Sequence, residues 1–225
     1  MTVNDRDLCV IFGGGGHAKV LIESLLAGNS SLSLVILDRD SARWGQQVLE
    51  VPILGDDSIL PRLIADGARF FVVGVGAVGD NAPRKRLFDH GISSGLEPLT
   101  IIHPASICSR WASVGPGCQL LPGSIVNAGA ELGGNVIVNS GAIVEHDCKI
   151  GDHVHIASGA VLASTVTVGA RAHIGCGAAV RQLISIGEGA IVGAGAVVVK
   201  DVPPHAMVVG VPAGSAEGRG TISGS

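Results

Sequence analysis

Glu145-His146-Asp147 sets an imidazole between two carboxylates in consecutive positions. A carboxylate beside an imidazole favours its protonated form and fixes which ring nitrogen carries the hydrogen. Such a histidine can take the proton from an attacking nucleophile. The plain alternative is a surface histidine with no task. A second group lies near the start of the chain. Gly13-x-Gly15-x-x-Ala18 follows the apolar run Leu8-Cys-Val-Ile-Phe12, and Asp38 ends another apolar run further on. Glycines in that pattern let a phosphate approach a helix N-terminus, and an acid at that distance suits a ribose. The motif is open to three readings: NAD, a nucleotide sugar, or a structural glycine turn. The segment ahead of Ile102 is long enough for only half a dinucleotide fold, which favours the nucleotide sugar.

Chemistry at His146 depends on the scaffold that carries it. Every sixth residue from Ile102 to Val198 is Val, Ile or Leu, with Cys108 as the one exception. The fifth place of each hexad is small or aliphatic throughout, as at Ala112, Ala130, Ala142 and Ala160. Neither a helix nor a hairpin sheet has this period. A coil of three short strands with a turn after each does, and stacked coils bury the aliphatic column. The register never breaks, so no long loop interrupts the coil. His146 falls at the third place of its hexad, near a corner, and faces outward. His155 and His173 stand one coil apart and stack on one face.

Composition agrees with such a scaffold. Glycine accounts for 34 of 225 residues, about twice the usual share. Aromatics make up 3% and tyrosine is missing, so the core must be built from small aliphatic side chains. Ahead of the repeat, Val35–Leu37 and Phe70–Val73 are further strands, with one helix following the segment Gly13 to Lys19 and running through about Leu26, and another from about Ala82 to His90. Strands alternating with helices make a small parallel α/β sheet. A chain with 47% hydrophobic and 15% charged residues is too apolar for disorder. No apolar stretch is long enough to span a membrane, and the opening residues do not resemble a signal peptide. A cytoplasmic location is therefore expected. The net charge of −4 and the lack of a basic stripe argue against nucleic acid as a partner. Five cysteines without a CxxC pair read as reduced thiols.

The combination resembles the sialic-acid O-acetyltransferase and nucleotide-amino-sugar N-acetyltransferase family, whose members are hexapeptide-repeat acyltransferases. Four segments carry the resemblance: Gly13-Gly-Gly-Gly-His-Ala-Lys19; Gly79-Asp-Asn81 with Arg84; Asn139-Ser-Gly-Ala-Ile-Val-Glu-His-Asp-Cys148; and Val209-Gly-Val-Pro-Ala213. It implies a Rossmann-like α/β domain over 1–100 that holds the nucleotide sugar. A left-handed parallel β-helix that carries the acyl transfer would follow over 101–214, with a flexible tail over 215–225. It also implies a homotrimer with active sites between neighbouring β-helices. By position, the catalytic base falls on His146 and its acidic neighbour on Asp147, with Asn139 near the substrate amine. The nucleotide sugar falls to Gly15, Gly16, His17, Asp38, Arg39 and Arg84. The acetyl-CoA groove falls to His155, Ser164, Cys176 and Ser185. The expected reaction is direct transfer of acetyl from acetyl-CoA to a sugar amine during glycan synthesis. A sugar hydroxyl as acceptor, or a trimer that binds sugar nucleotides without catalysis, is the alternative. A rival from another class is a zinc enzyme built on His153, His155 and His173. Zinc needs converging neutral imidazoles with an open fourth position, and the spacing here lacks the usual His-x-x-x-x-His. No metal is expected.

Overall fold

The computed structural model describes residues 7–28, 31–77 and 79–216. It opens with a six-stranded sheet in the order β3-β4-β2-β1-β5-β6. The strands are β1 (Leu8–Phe12), β2 (Ser33–Leu37), β3 (Gln47–Val48), β4 (Val51–Gly55), β5 (Ala68–Val73) and β6 (Glu97–Pro98). Helices α1 (Gly16–Ala27), α2 (Leu60–Ala65) and α3 (Ala82–Ser93) cover it. The central pairs β1–β2 and β1–β5 are parallel, as the alternating pattern requires. Sequence reading misses the β3–β4 hairpin because Gln47–Gly55 is short and carries a proline.

From Ile101 the chain winds into a left-handed β-helix of three parallel sheets. Face 1 runs through Gln119–Leu120, His155–Ile156 and His173–Ile174. Face 2 runs through Ile125–Val126, Ile143–Val144 and Val161–Leu162. Face 3 runs through Glu131–Leu132, Lys149–Ile150 and Thr167–Val168. The second residue of each pair points inward and builds one continuous core with the small fifth residues, from Cys118 to Val208. Each buried Val, Leu or Ile there contributes about 1.5–3 kcal/mol. Coils repeat with strict register until Val198. The last coil is shortened, because Met207 rather than residue 209 pairs with Ile191. The tail expected over 215–225 lies, from residue 217 on, outside the described residues.

The outward columns of the three faces differ, and the difference positions the site. Face 3 presents Ser113, Glu131, Lys149, Thr167 and Ser185, all exposed. Face 1 presents Ile101, Gln119, Ile137, His155 and His173, all buried. The α/β domain covers face 1: Ile101 and Ile137 pack in one core with Leu21, Ile22 and Cys9. Polar groups pin the seam. Asn81 Nδ2 donates to the carbonyls of Arg171 and Ala172 at 3.1 and 2.9 Å. Gln119 Nε2 donates to the Val73 carbonyl at 3.0 Å. Arg84 Nη2 reaches Asn135 Oδ1 at 2.5 Å, and the Phe88 ring meets His153 edge-on at 5.6 Å.

Candidate active site

His146 and Asp147 occupy the corner between faces 2 and 3. His146 Nδ1 stands 2.7 Å from Asp147 Oδ2, and both side chains are more than half exposed. A carboxylate only accepts, so Nδ1 carries the hydrogen and Nε2 is left as a free acceptor toward solvent. Backbone geometry makes the pair possible. Asp147 takes the left-handed turn conformation, φ +60°, which aspartate tolerates better than most residues. Gly129, one coil below, leaves room for its carboxylate, since a Cβ there would run into Asp147 Oδ1. Glu145 does not join the pair. Its Oε2 accepts from Asn127 Nδ2 at 2.8 Å. Ser164 stands directly above His146, one coil on, where Thr165 N donates to the His146 carbonyl.

Asn139 lies at the other edge of face 2, on the corner that follows face 1. Its Oδ1 accepts from Ser140 N at 2.8 Å, and its Nδ2 lies 3.1 Å from His155 Nε2. His155 Nδ1 is 2.9 Å from the Ala77 carbonyl and must donate to it, so Nε2 accepts from Asn139. One N–H of Asn139 remains to serve a ligand. Cys176 is exposed on this same corner, and Ser185 is exposed on face 3. Within one chain, then, the expected acetyl-CoA residues do not converge. His155 needs correction as a groove residue: it is 6% exposed, under the α/β domain, and acts on the surface only through Asn139. Its ring meets His173 edge-on at 5.0 Å. Burial, with the neighbouring His173 second, lowers the His155 pKa to about 3, so the ring is neutral.

The glycine-rich segment forms one wall of a cavity of about 500 Å³ over the carboxyl ends of β1, β2 and β5. Gly15, Gly16, His17, Asp38 and Arg39 all line it. No side chain caps α1, which leaves the N–H groups at its start for an anion. Asp38 is engaged: Oδ2 accepts from Gly14 N at 2.8 Å and Arg43 Nη1 at 3.0 Å, and Oδ1 accepts from Asp40 N. Arg43 also donates to the Gly14 carbonyl at 2.6 Å, which clamps the glycine turn to β2. His17 Nε2 donates to Gln119 Oε1 at 2.7 Å, because an amide oxygen only accepts, and the Gln119 Nε2 bond to the Val73 carbonyl turns that oxygen toward His17. Burial, then the Arg84 charge, lowers the His17 pKa to about 4.

Arg84 corrects the sequence reading. It is 1% exposed, donates to the carbonyls of Val73 and Val75 and to Asn135, and faces away from the cavity. Arg86, two residues on, lines the cavity instead. Sequence reasoning also missed Arg43, Asp57 and Gly129. A helical-wheel reading of α3 was the one signal available for Arg86.

A Rossmann-like sheet docked on a left-handed hexapeptide β-helix, with an exposed histidine–carboxylate pair on a coil corner, defines a hexapeptide-repeat acyltransferase. Residues 9–90 match the PglD N-terminal domain family, and residues 129–164 and 147–182 match the bacterial transferase hexapeptide (six repeats) family. The chain is 40% identical to a solved perosamine N-acetyltransferase from Caulobacter crescentus in complex with CoA and GDP-perosamine, over 95% of this chain and 97% of that one, with a TM-score of 0.86. It is 35% identical to the acetyltransferase domain of PglB from Neisseria gonorrhoeae FA1090 in complex with acetyl coenzyme A, over 94% and 100%, TM-score 0.85. WeeI from Acinetobacter baumannii AYE is 26% identical over 92% and 99%, TM-score 0.82. No curated protein matches. The chain belongs to the nucleotide-amino-sugar N-acetyltransferase family.

Proposed function

We propose that this enzyme moves the acetyl group of acetyl-CoA onto the amine of a nucleotide-linked amino sugar, with His146 as the general base. One observation carries the role assignment: the 2.7 Å contact that fixes the His146 tautomer and leaves Nε2 open. The sugar amine attacks the thioester carbonyl carbon. A C–N bond forms, Nε2 takes a proton from the attacking nitrogen, and Asp147 stabilises the imidazolium. The C–S bond then breaks and the proton passes to the departing CoA sulfur. Nothing in this sequence requires an acetyl-enzyme. The free N–H of Asn139 suits the oxygen that gains charge as the amine adds.

Face 2 supports assembly as a homotrimer. Its outward column is Ile107, Ile125, Ile143, Val161, Ala179 and Val197, apolar throughout, with Ile107 exposed and the other five only half-buried. His146 and Ser164 lie along one edge of this face, Asn139 and Cys176 along the other. Threefold packing on face 2 brings one edge against the opposite edge of a neighbour and completes the site between chains. This arrangement accounts for site residues that do not meet in a single protomer. In this reading the nucleotide sits in the α/β cavity, the enzyme works in the cytoplasm, where acetyl-CoA is available, and its product serves glycan synthesis. Among the described residues no helix is long and apolar enough to cross a membrane.

The test is CoA release from acetyl-CoA with a panel of UDP-, GDP- and dTDP-linked amino sugars, with the product's acetyl position read by mass spectrometry. Acetylation of a hydroxyl, or no turnover with any member, would overturn the proposal.

A further inference from the structure

We infer that the α/β cavity selects guanine among the nucleobases and that Asp57 reads it. The inference rests on the reading of this cavity as the nucleotide pocket. Its parts sort by chemistry. The glycine turn and the start of α1 offer N–H groups, and Arg39 and Arg86 offer exposed cations, which suits a diphosphate. Phe12, Leu37, Val75 and Leu87 give apolar wall, which suits a planar base. Two carboxylates line the cavity, Asp38 and Asp57. Both oxygens of Asp38 already accept hydrogen bonds, from Gly14, Arg43 and Asp40. Asp57 is exposed just beyond the end of β4. Among the described residues its carboxylate faces only His90 Nε2, at 4.0 Å. That nitrogen is itself buried without a hydrogen-bond partner, so it can back the carboxylate once a ligand orders it.

A free carboxylate on the wall of a base pocket is a pair of acceptors with no donor. Guanine presents two adjacent donors, N1–H and the 2-amino group, and matches it with two charge-assisted hydrogen bonds. Uracil and thymine carry one N–H between two carbonyls, which set lone pairs against the carboxylate. Adenine and cytosine place a ring acceptor beside their amino group. Each of these puts acceptor against acceptor, so Asp57 discriminates by repulsion as well as attraction.

Calorimetric titration of the full chain with GDP, UDP, dTDP, ADP and xanthosine diphosphate tests the inference, on the wild type and on Asp57→Asn. GDP is expected to bind the wild type at least about 10-fold tighter than the others. Asp57→Asn should weaken GDP by about 10–100-fold and tighten xanthosine diphosphate, whose 2-carbonyl can accept from the new amide. Asp57 is exposed, so the variant's melting curve should match the wild type's. Equal binding of UDP or dTDP by the wild type, or an undiminished GDP preference in Asp57→Asn, overturns the assignment of the base. Binding of no diphosphate at all overturns the pocket reading beneath it.

Discussion

The carboxylate of Asp147 lies 2.7 Å from Nδ1 of His146 and directly over the Cα hydrogens of Gly129 in the coil below. Three residues on two coils thus set one imidazole.

Removal of the base should be the largest effect. His146→Ala is expected to lower kcat by about 10²–10⁴-fold with little change in KM for acetyl-CoA. Asp147→Asn should cost less, since the imidazole stays while its tautomer and imidazolium lose support. Steady-state kinetics reads both, and near-wild-type turnover by His146→Ala would refute the role.

Gly129→Ala tests the packing beneath the pair. The added methyl meets Asp147 Oδ1, and φ +75° at this position disfavours any side chain. Stability should fall by about 1 kcal/mol, and kcat should approach that of Asp147→Asn. A variant that melts lower yet keeps full kcat would show that Asp147 does not orient His146.

Arg84→Met separates support from binding. The structure gives Arg84 two carbonyls and Asn135 to satisfy, all buried. Loss of those donors should destabilise the chain by roughly 2–4 kcal/mol in urea unfolding. Nucleotide affinity should hold wherever the variant is folded. A stable variant with weak nucleotide binding would restore the sequence assignment.

Acid should loosen the seam between the two halves. His17 and His155 have pKa values lowered from 6.5 to about 4 and about 3. Both are neutral when folded and take up protons when unfolded. Their contribution is therefore fully present above pH 6.5 and is lost as pH falls toward 4, at about 1.4 kcal/mol per pH unit for each histidine. Melting temperature should be flat near neutrality and decline below pH 6.5. Replacing His155 with Gln should flatten that decline.

Face 2 should be an interface. Ile143→Glu, in the middle of the apolar column, is expected to shift the enzyme from trimer to monomer in light scattering. Activity should fall by more than 10-fold while the monomer stays folded. A monodisperse wild-type monomer with full activity would refute assembly on this face.

Much of this was legible in the sequence. The six-residue period determined the β-helix, because burial of one aliphatic per strand leaves no other way to stack. Glu145-His146-Asp147 falls on a corner by counting alone. The outward columns also held information that a reading of inward positions passes over: polar on face 3, apolar on face 2, mixed and buried on face 1. Which cover lies on which face is a different matter. The α/β domain could have docked on face 1 or face 2, and only its contact with Ile101, Ile137, His155 and Gln119 decided. That choice turned His155 from a groove residue into a buried support for Asn139. The same holds for Arg84 and Arg86. Residues two apart on a helix point to nearly opposite sides, so the rotation of α3 against the seam chose the strut and the pocket cation. Local spacing fixes what a residue can do; long-range packing fixes what it can reach.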